Sequence, residues 1–186
     1  MENLKGSNNS WGLIAKLFHW LVAIFILLQI FFGINLHFMN PSSTKGDLIH
    51  YHKIFGTLII LIVFLRLAWK FYNPSPSHNK LSFLHKILSR IVHILLYLLI
   101  IILPIQGMFL TWVAGSDVLL LGLIKLPRLI EEDFILHEEY LNIHFWMTIT
   151  LLFLFFIHLS ASIIHIFIYK DKYNVWGSMK LFKKNQ

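Results

Sequence analysis

Four long apolar runs constrain this chain more than any other feature. They fall at about residues 11–36, 48–72, 84–113 and 141–169. At about 1.5 Å per helical residue, each can cross a hydrocarbon core of roughly 30 Å. The composition agrees: 57% of the residues are hydrophobic, 13% are charged, and mean hydropathy is +0.69. A soluble domain of 186 residues does not need so much apolar surface. The expected architecture is all-α: a four-transmembrane-helix bundle forming one domain over residues 1–186, with no room for a second large domain.

The links between the runs are readable too. Residues 38–47 are short and polar, with Pro41, Ser42, Ser43 and Gly46. Residues 73–81 read N-P-S-P-S-H-N-K-L, and two prolines stop a helix there. Pro104 and Gly107 lie inside the third run and are expected to kink it rather than end it, because neighbouring helices can re-satisfy freed backbone groups. The longest link, residues 114–140, contains V-L-L-L-G-L-I-K-L-P, an apolar piece expected to fold back against the bundle. The first run is longer than a signal-peptide core and has no small-residue cleavage site near its end, so it is expected to stay as a span.

Charge gives the orientation. Lys5, Lys16, Lys70, Lys80, Lys86, Arg90, Lys170, Lys172, Lys180, Lys183 and Lys184 flank one side. The other side carries Lys45, Lys53, Lys125 and Arg128, and with them Asp47, Asp117, Glu131, Glu132, Asp133, Glu138 and Glu139. The positive-inside rule then puts both termini in the cytoplasm, in agreement with an even number of spans. In a chain this apolar, the net charge of +7 reports topology, and no nucleic-acid partner is expected. The chain is therefore expected to be a multi-pass membrane protein in contact with lipid.

His19, His52, His144 and His158 lie inside the apolar runs. Histidine is costly in lipid unless it has a partner. His144 and His158 are separated by roughly 21 Å of helix rise but only about 40° of rotation, so they point to nearly the same side at two depths. Topology places His52 level with His144 near the outer face, and His19 level with His158 near the inner face. Each pair bridges two helices, as bundle cofactors require. A single membrane histidine is most simply a packing residue. Four at matched depths, with no carboxylate inside any span, point instead to two metal centres, and argue against a proton-coupled transporter. Bis-imidazole haem suits such a site. The chain has no cysteine, which removes disulfides, iron–sulfur clusters, thiolate ligands and the C-x-x-C-H attachment of c-type haem. Any haem is therefore b-type, held without a covalent bond.

Geometry alone leaves alternatives open. His165 is one heptad beyond His158 and about 20° off its face, so it can replace His158 as the inner ligand. His93, in the inner half of the third run, can replace His19. His37, His50, His78, His85 and His137 lie in or beside the links and read as solvated or interfacial. Arg66 is the one charge well inside a run. It can snorkel to the cytoplasm beside Trp69 and Lys70, or pair with a haem propionate, whose carboxylate a guanidinium matches bidentately. Arg90 and His93 are further candidates for contacts around a haem or its propionates.

An ordered set of segments carries a resemblance. F-H-W-L-V-A (residues 18–23), H-K-I-F-G (52–56), F-L-R-L-A-W-K (64–70) and N-P-S-P (73–76) come first. R-I-V-H-I-L-L-Y (90–97), L-P-I-Q-G (103–107), I-H-F-W (143–146), His158, His165 and Y-K-D (169–171) follow. Together they resemble the bacterial cytochrome b561 family over nearly the whole chain. The resemblance implies a four-helix bundle with two b haems, the inner one ligated by His19 and His158 and the outer one by His52 and His144. It also implies electron exchange with ubiquinone near the cytoplasmic face, close to His165, whose residue type can give or take a proton near neutral pH. Some family members oxidise superoxide at the outer face. Here the outer link is acidic at residues 131–133 and 138–139, which repels an anion, although Lys53, Lys125 and Arg128 can offset it. The segment after Lys172 departs from the family pattern.

Four functions follow for testing. The first is di-haem electron transfer to or from ubiquinone. The second is a superoxide:ubiquinone oxidoreductase. The third is a cytochrome b anchor subunit that takes electrons from a partner dehydrogenase or hydrogenase docked on the acidic outer link. The fourth is a haem-free transporter or scaffold.

Overall fold

The computed structural model describes residues 4–7, 9–73, 76 and 81–180. His78, Lys80, Lys183 and Lys184 lie outside the described residues, as does most of the proline-containing link. The elements are α1 (Leu13–Phe38), α2 (Ser43–Tyr72), α3 (Phe83–Val113), a small hairpin of β1 (Leu119–Leu120) and β2 (Ile124–Lys125), and α4 (Phe134–Phe167). All four helices are long and apolar enough to cross a membrane. Ile24, Phe31, Phe64, Ile94 and Phe153 stand among the many large apolar side chains exposed around the bundle, where lipid replaces water. The chain is an all-α four-span membrane protein.

Two helices begin earlier than their apolar runs. α2 starts at Ser43 because the Ser42 hydroxyl caps it, accepting from the Lys45 amide at 3.1 Å. α4 starts at Phe134 because the Asp133 carboxylate accepts from the Ile135 and Leu136 amides at 2.8 and 3.0 Å. In both cases a polar first turn is helical for reasons of capping, which hydropathy does not register. α3 continues through Pro104 without a break.

α1 packs on α2, α2 on α3, and α3 on α4. The centre is filled by Val22 and Ile26 from α1, Ile59, Ile62 and Val63 from α2, and Leu151 from α4. These aliphatic side chains form a plug halfway along the bundle.

The two ends are closed differently. At one end, residues near the two termini meet. The Trp11 amide donates to the Ser178 carbonyl at 3.2 Å, the Asn174 amide side chain donates to the Asn9 carbonyl at 2.7 Å, and Trp20 Nε1 donates to the Met179 carbonyl at 3.4 Å. Residues 168–180 thus form a strap across the start of α1. Asp171 shapes its turn by accepting from the Trp176 and Gly177 amides at 3.0 and 2.6 Å.

At the other end, the apolar piece of the long link does fold back. Its turn inserts against α2, where Thr57 Oγ1 accepts from the Leu121 amide at 3.0 Å. Gly122 sits there with φ +74°, and a Cβ on it would stand 2.9 Å from Ile54 Cδ1. Only glycine meets both the left-handed backbone and the close approach. Lys125 bonds Asp117 at 2.6 Å, with Arg128 at 3.8 Å, and the Lys125 ammonium holds the Asp117 carboxyl below the usual carboxylate range. The pair is exposed, so water and salt screen it.

Candidate functional site

Of the four histidines on α4, His144 toward one end of the bundle and His158 toward the other each meet a histidine ring from another helix. At the terminal end, the ring centroids of His19 (α1) and His158 (α4) are 6.2 Å apart with planes at 71°. At the hairpin end, His52 (α2) and His144 (α4) are also 6.2 Å apart, with planes at 74°. Leu151 is midway between His144 and His158 in sequence, so the aliphatic plug lies between the two pairs. The helices that carry each pair, α4 with α1 or α2, make only sparse backbone contact, whereas the sequential neighbours pack closely.

The hairpin-end pair sits among neutral amides. Gln106 Oε1 lies 2.7 Å from His144 Nδ1, and Gln106 Nε2 donates to the Tyr140 carbonyl at 2.6 Å. Gly107 lets α3 come close: a Cβ there would stand 3.3 Å from His144 Cε1. On the other side, Gln29 Nε2 donates to the His52 carbonyl at 2.8 Å, in space that Gly56 leaves open. His52 Nδ1 and Gln29 Oε1 are buried without a hydrogen-bond partner among the described residues.

The terminal-end pair sits among cations and rings. Arg66 Nη2 lies 3.0 Å from His19 Nδ1. A guanidinium only donates, so that ring nitrogen accepts. Arg66 and Lys70 both stand over the Tyr97 ring, at 5.4 and 5.1 Å. His93 packs edge-on against His158 at 5.2 Å, and its Nδ1 donates to the Ser89 carbonyl at 2.5 Å. Arg90 is exposed, three residues before His93, with no hydrogen bond to either pair among the described residues. His165 lies further toward the end, with its ring against Tyr169 and Tyr173 at 5.3 and 5.9 Å. Arg66 therefore turns inward to a histidine rather than snorkelling outward. Gln106 and Tyr97 lie in segments that carry the family resemblance, 103–107 and 90–97, but nothing in those segments marks a role for either at the site; Gln29 lies in no such segment, and its only signal is an amide inside an apolar run.

A family model for prokaryotic cytochrome b561 matches residues 10–179. The chain belongs to that family. It is a multi-pass membrane b-type cytochrome of electron transfer, and the family implies non-covalent b haem. No curated protein matches the chain.

The histidine pairs can be tested against haem. Two imidazoles that shared one metal, each through a ring nitrogen at about 2.0–2.1 Å, would hold their ring centroids about 6 Å apart. Both 6.2 Å pairs fit that span. The 5.2 Å between His93 and His158 is too short for it and is ordinary edge-to-face packing. Among the described residues, no group of three or more histidine, aspartate or glutamate side chains could hold a metal ion. A macrocycle that brings its own four nitrogens needs only the two imidazoles.

Proposed function

We propose that this cytochrome holds two b haems and moves electrons between the outer face of the bacterial inner membrane and ubiquinone near the cytoplasmic face. His52 and His144 hold the haem at the hairpin end, and His19 and His158 hold the haem at the terminal end. The observation that carries the reading is the repeated imidazole pair, one separation of 6.2 Å at two depths of one bundle. Lysines and arginines crowd the terminal end, so the positive-inside rule makes it cytoplasmic.

When bound, haem supplies reversible one-electron exchange at its iron. The chain supplies the rest. The four imidazoles ligate, and the aliphatic plug keeps water out of the space between them. A ligating His19 with its proton on Nδ1 no longer accepts from Arg66. The guanidinium would then be available to a haem propionate, for which its fork geometry is suited. Half-buried Arg66, already turned toward His19, suits that role better than exposed Arg90. His93 packs on the His158 ring and limits its rotation. His165, with Tyr169 and Tyr173, forms a polar and aromatic patch near the cytoplasmic end, where quinone reduction needs protons as well as electrons. His165 serves there as the proton relay.

Pyridine haemochrome assay of the purified protein tests the reading. Two haems per chain are expected, both extractable without breaking a covalent bond. A reproducible value of one overturns the two-centre reading, and a value of zero returns the chain to a scaffold.

One observation favours a small anion as the outer electron donor. A surface pocket of about 150 Å³ at the hairpin end is lined by His50, Lys53 and Asp117 among others, and His52 precedes Lys53 in sequence without lining it. Lys125 and Arg128 are engaged with Asp117, which leaves Lys53 as the cation facing the pocket. Superoxide:quinone oxidoreduction would use this entrance. Lys53→Glu should then slow haem reduction by superoxide while leaving reduction by dithionite unchanged.

A further inference from the structure

We infer that Gln106 is a positioning residue for the outer haem: through His144 Nδ1 it fixes the ring's tautomer and holds that haem's midpoint potential low. The inference rests on the proposed ligation by His52 and His144.

Gln106 is only 9% exposed and sits in the apolar length of α3, where an amide needs partners on both its ends. The Tyr140 carbonyl can only accept, so it takes the Gln106 NH2 group at 2.6 Å. That orients Oε1 toward His144 Nδ1, 2.7 Å away. An amide oxygen can only accept, so Nδ1 carries the ring proton and Nε2 is left with its lone pair. Nε2 is then the nitrogen available to a metal.

The contact is not what a helical histidine finds by itself. His93 shows the local solution in the same molecule: its Nδ1 donates to its own helix, at the Ser89 carbonyl four residues back. For His144 the equivalent carbonyl belongs to Tyr140, and Gln106 from another helix stands between that carbonyl and the ring. Gly107, next to Gln106, has no side chain to hold α3 away from the imidazole. The terminal-end pair has the opposite arrangement, because His19 Nδ1 faces the donor Arg66.

An acceptor on the outer nitrogen of a ligating histidine fixes its orientation and strengthens its donation to the metal. Stronger donation favours the ferric form over the ferrous form. The amide of Gln106 therefore lowers the outer haem's potential and leaves the inner one alone.

Optical redox titration of the purified holoprotein, with Gln106→Leu and Gln106→Glu, tests this. His144→Ala identifies which spectral component is the outer haem. The leucine variant should raise the outer midpoint potential and leave the inner one unchanged. Glutamate keeps an acceptor for Nδ1, so its potential should lie at or below that of the parent. If the leucine variant sheds the outer haem, recovery of that haem in the glutamate variant supports the inference, and loss in both overturns it. An unchanged outer potential in a two-haem leucine variant, or an upward shift in both variants, overturns the role of Gln106 alone. A parent with a single haem overturns the di-haem reading instead, and does so before any Gln106 variant is measured.

Discussion

The two ends of this bundle hold the same imidazole pair in different chemical company. At the hairpin end the rings are surrounded by neutral amides, Gln106 and Gln29, and covered by an apolar turn. At the terminal end they sit with Arg66, Lys70, Tyr97 and His93 beneath a polar strap. On the proposed ligation, the equal ring separation would serve both haems alike. The surroundings would then set different electron affinities, because a nearby half-buried cation such as Arg66 stabilises an added electron and a neutral acceptor on a ligand does not. The terminal-end haem is therefore expected to have the higher potential, which makes electron flow from the hairpin end downhill.

The largest test of that comparison is removal of the ligands. His52→Ala or His144→Ala should abolish the outer haem's spectrum and leave much of the inner one, and His19→Ala or His158→Ala should do the reverse. If His19 and His52 were lost together, the assignment of two separate centres would fail. Next comes the proton relay. His165→Ala should keep both haems and their low-spin spectra but slow haem re-oxidation by a soluble quinone analogue by about tenfold, below the full range for general acid–base residues. An unchanged rate would leave His165 as a packing partner of Tyr169 and Tyr173.

Smaller effects sharpen the contrast in potential. Arg66→Leu should lower the inner haem's potential by about 60 mV, a tenfold change in a one-electron equilibrium, and leave the outer haem in place. A shift of the outer haem instead would mean that the cation acts through the whole bundle. The smallest effect concerns the cover at the hairpin end. Gly122→Ala forces a side chain into a left-handed conformation against Ile54, at a cost of about 1–2 kcal/mol. It should make the outer haem faster to reduce by a water-soluble reductant, with the inner spectrum unchanged.

Much of this contrast was legible along the chain because depth in a membrane is a one-dimensional quantity. The number of residues between His144 and His158, with the sidedness of the lysines, is enough to level each histidine with a mate on another helix. Rotation about each helix is not encoded so simply. That Arg66 turns to His19, that Gln106 rather than a backbone carbonyl meets His144, and that His93 packs beside His158 depend on how α2, α3 and α4 face one another. The early starts of α2 and α4 rest on Ser42 and Asp133, cap residues visible in the sequence but outside any apolar run. The strap formed by residues 168–180 follows from contacts with residues 9–20 at the far end of the chain, which no local pattern announces.

The aliphatic plug of Val22, Ile26, Ile59, Ile62, Val63 and Leu151 has an electrical consequence. These side chains offer no group that a proton could hop along, yet an electron can tunnel past them. Charge crossing this layer on the proposed route therefore crosses uncompensated, and each turnover does work with or against the voltage on the membrane. Over the full thickness that work is about 2.3 kcal/mol per 100 mV for each electron, and the layer between the two pairs carries a large share of it. A cytochrome built this way can be slowed by an energised membrane without any change in its donor or acceptor.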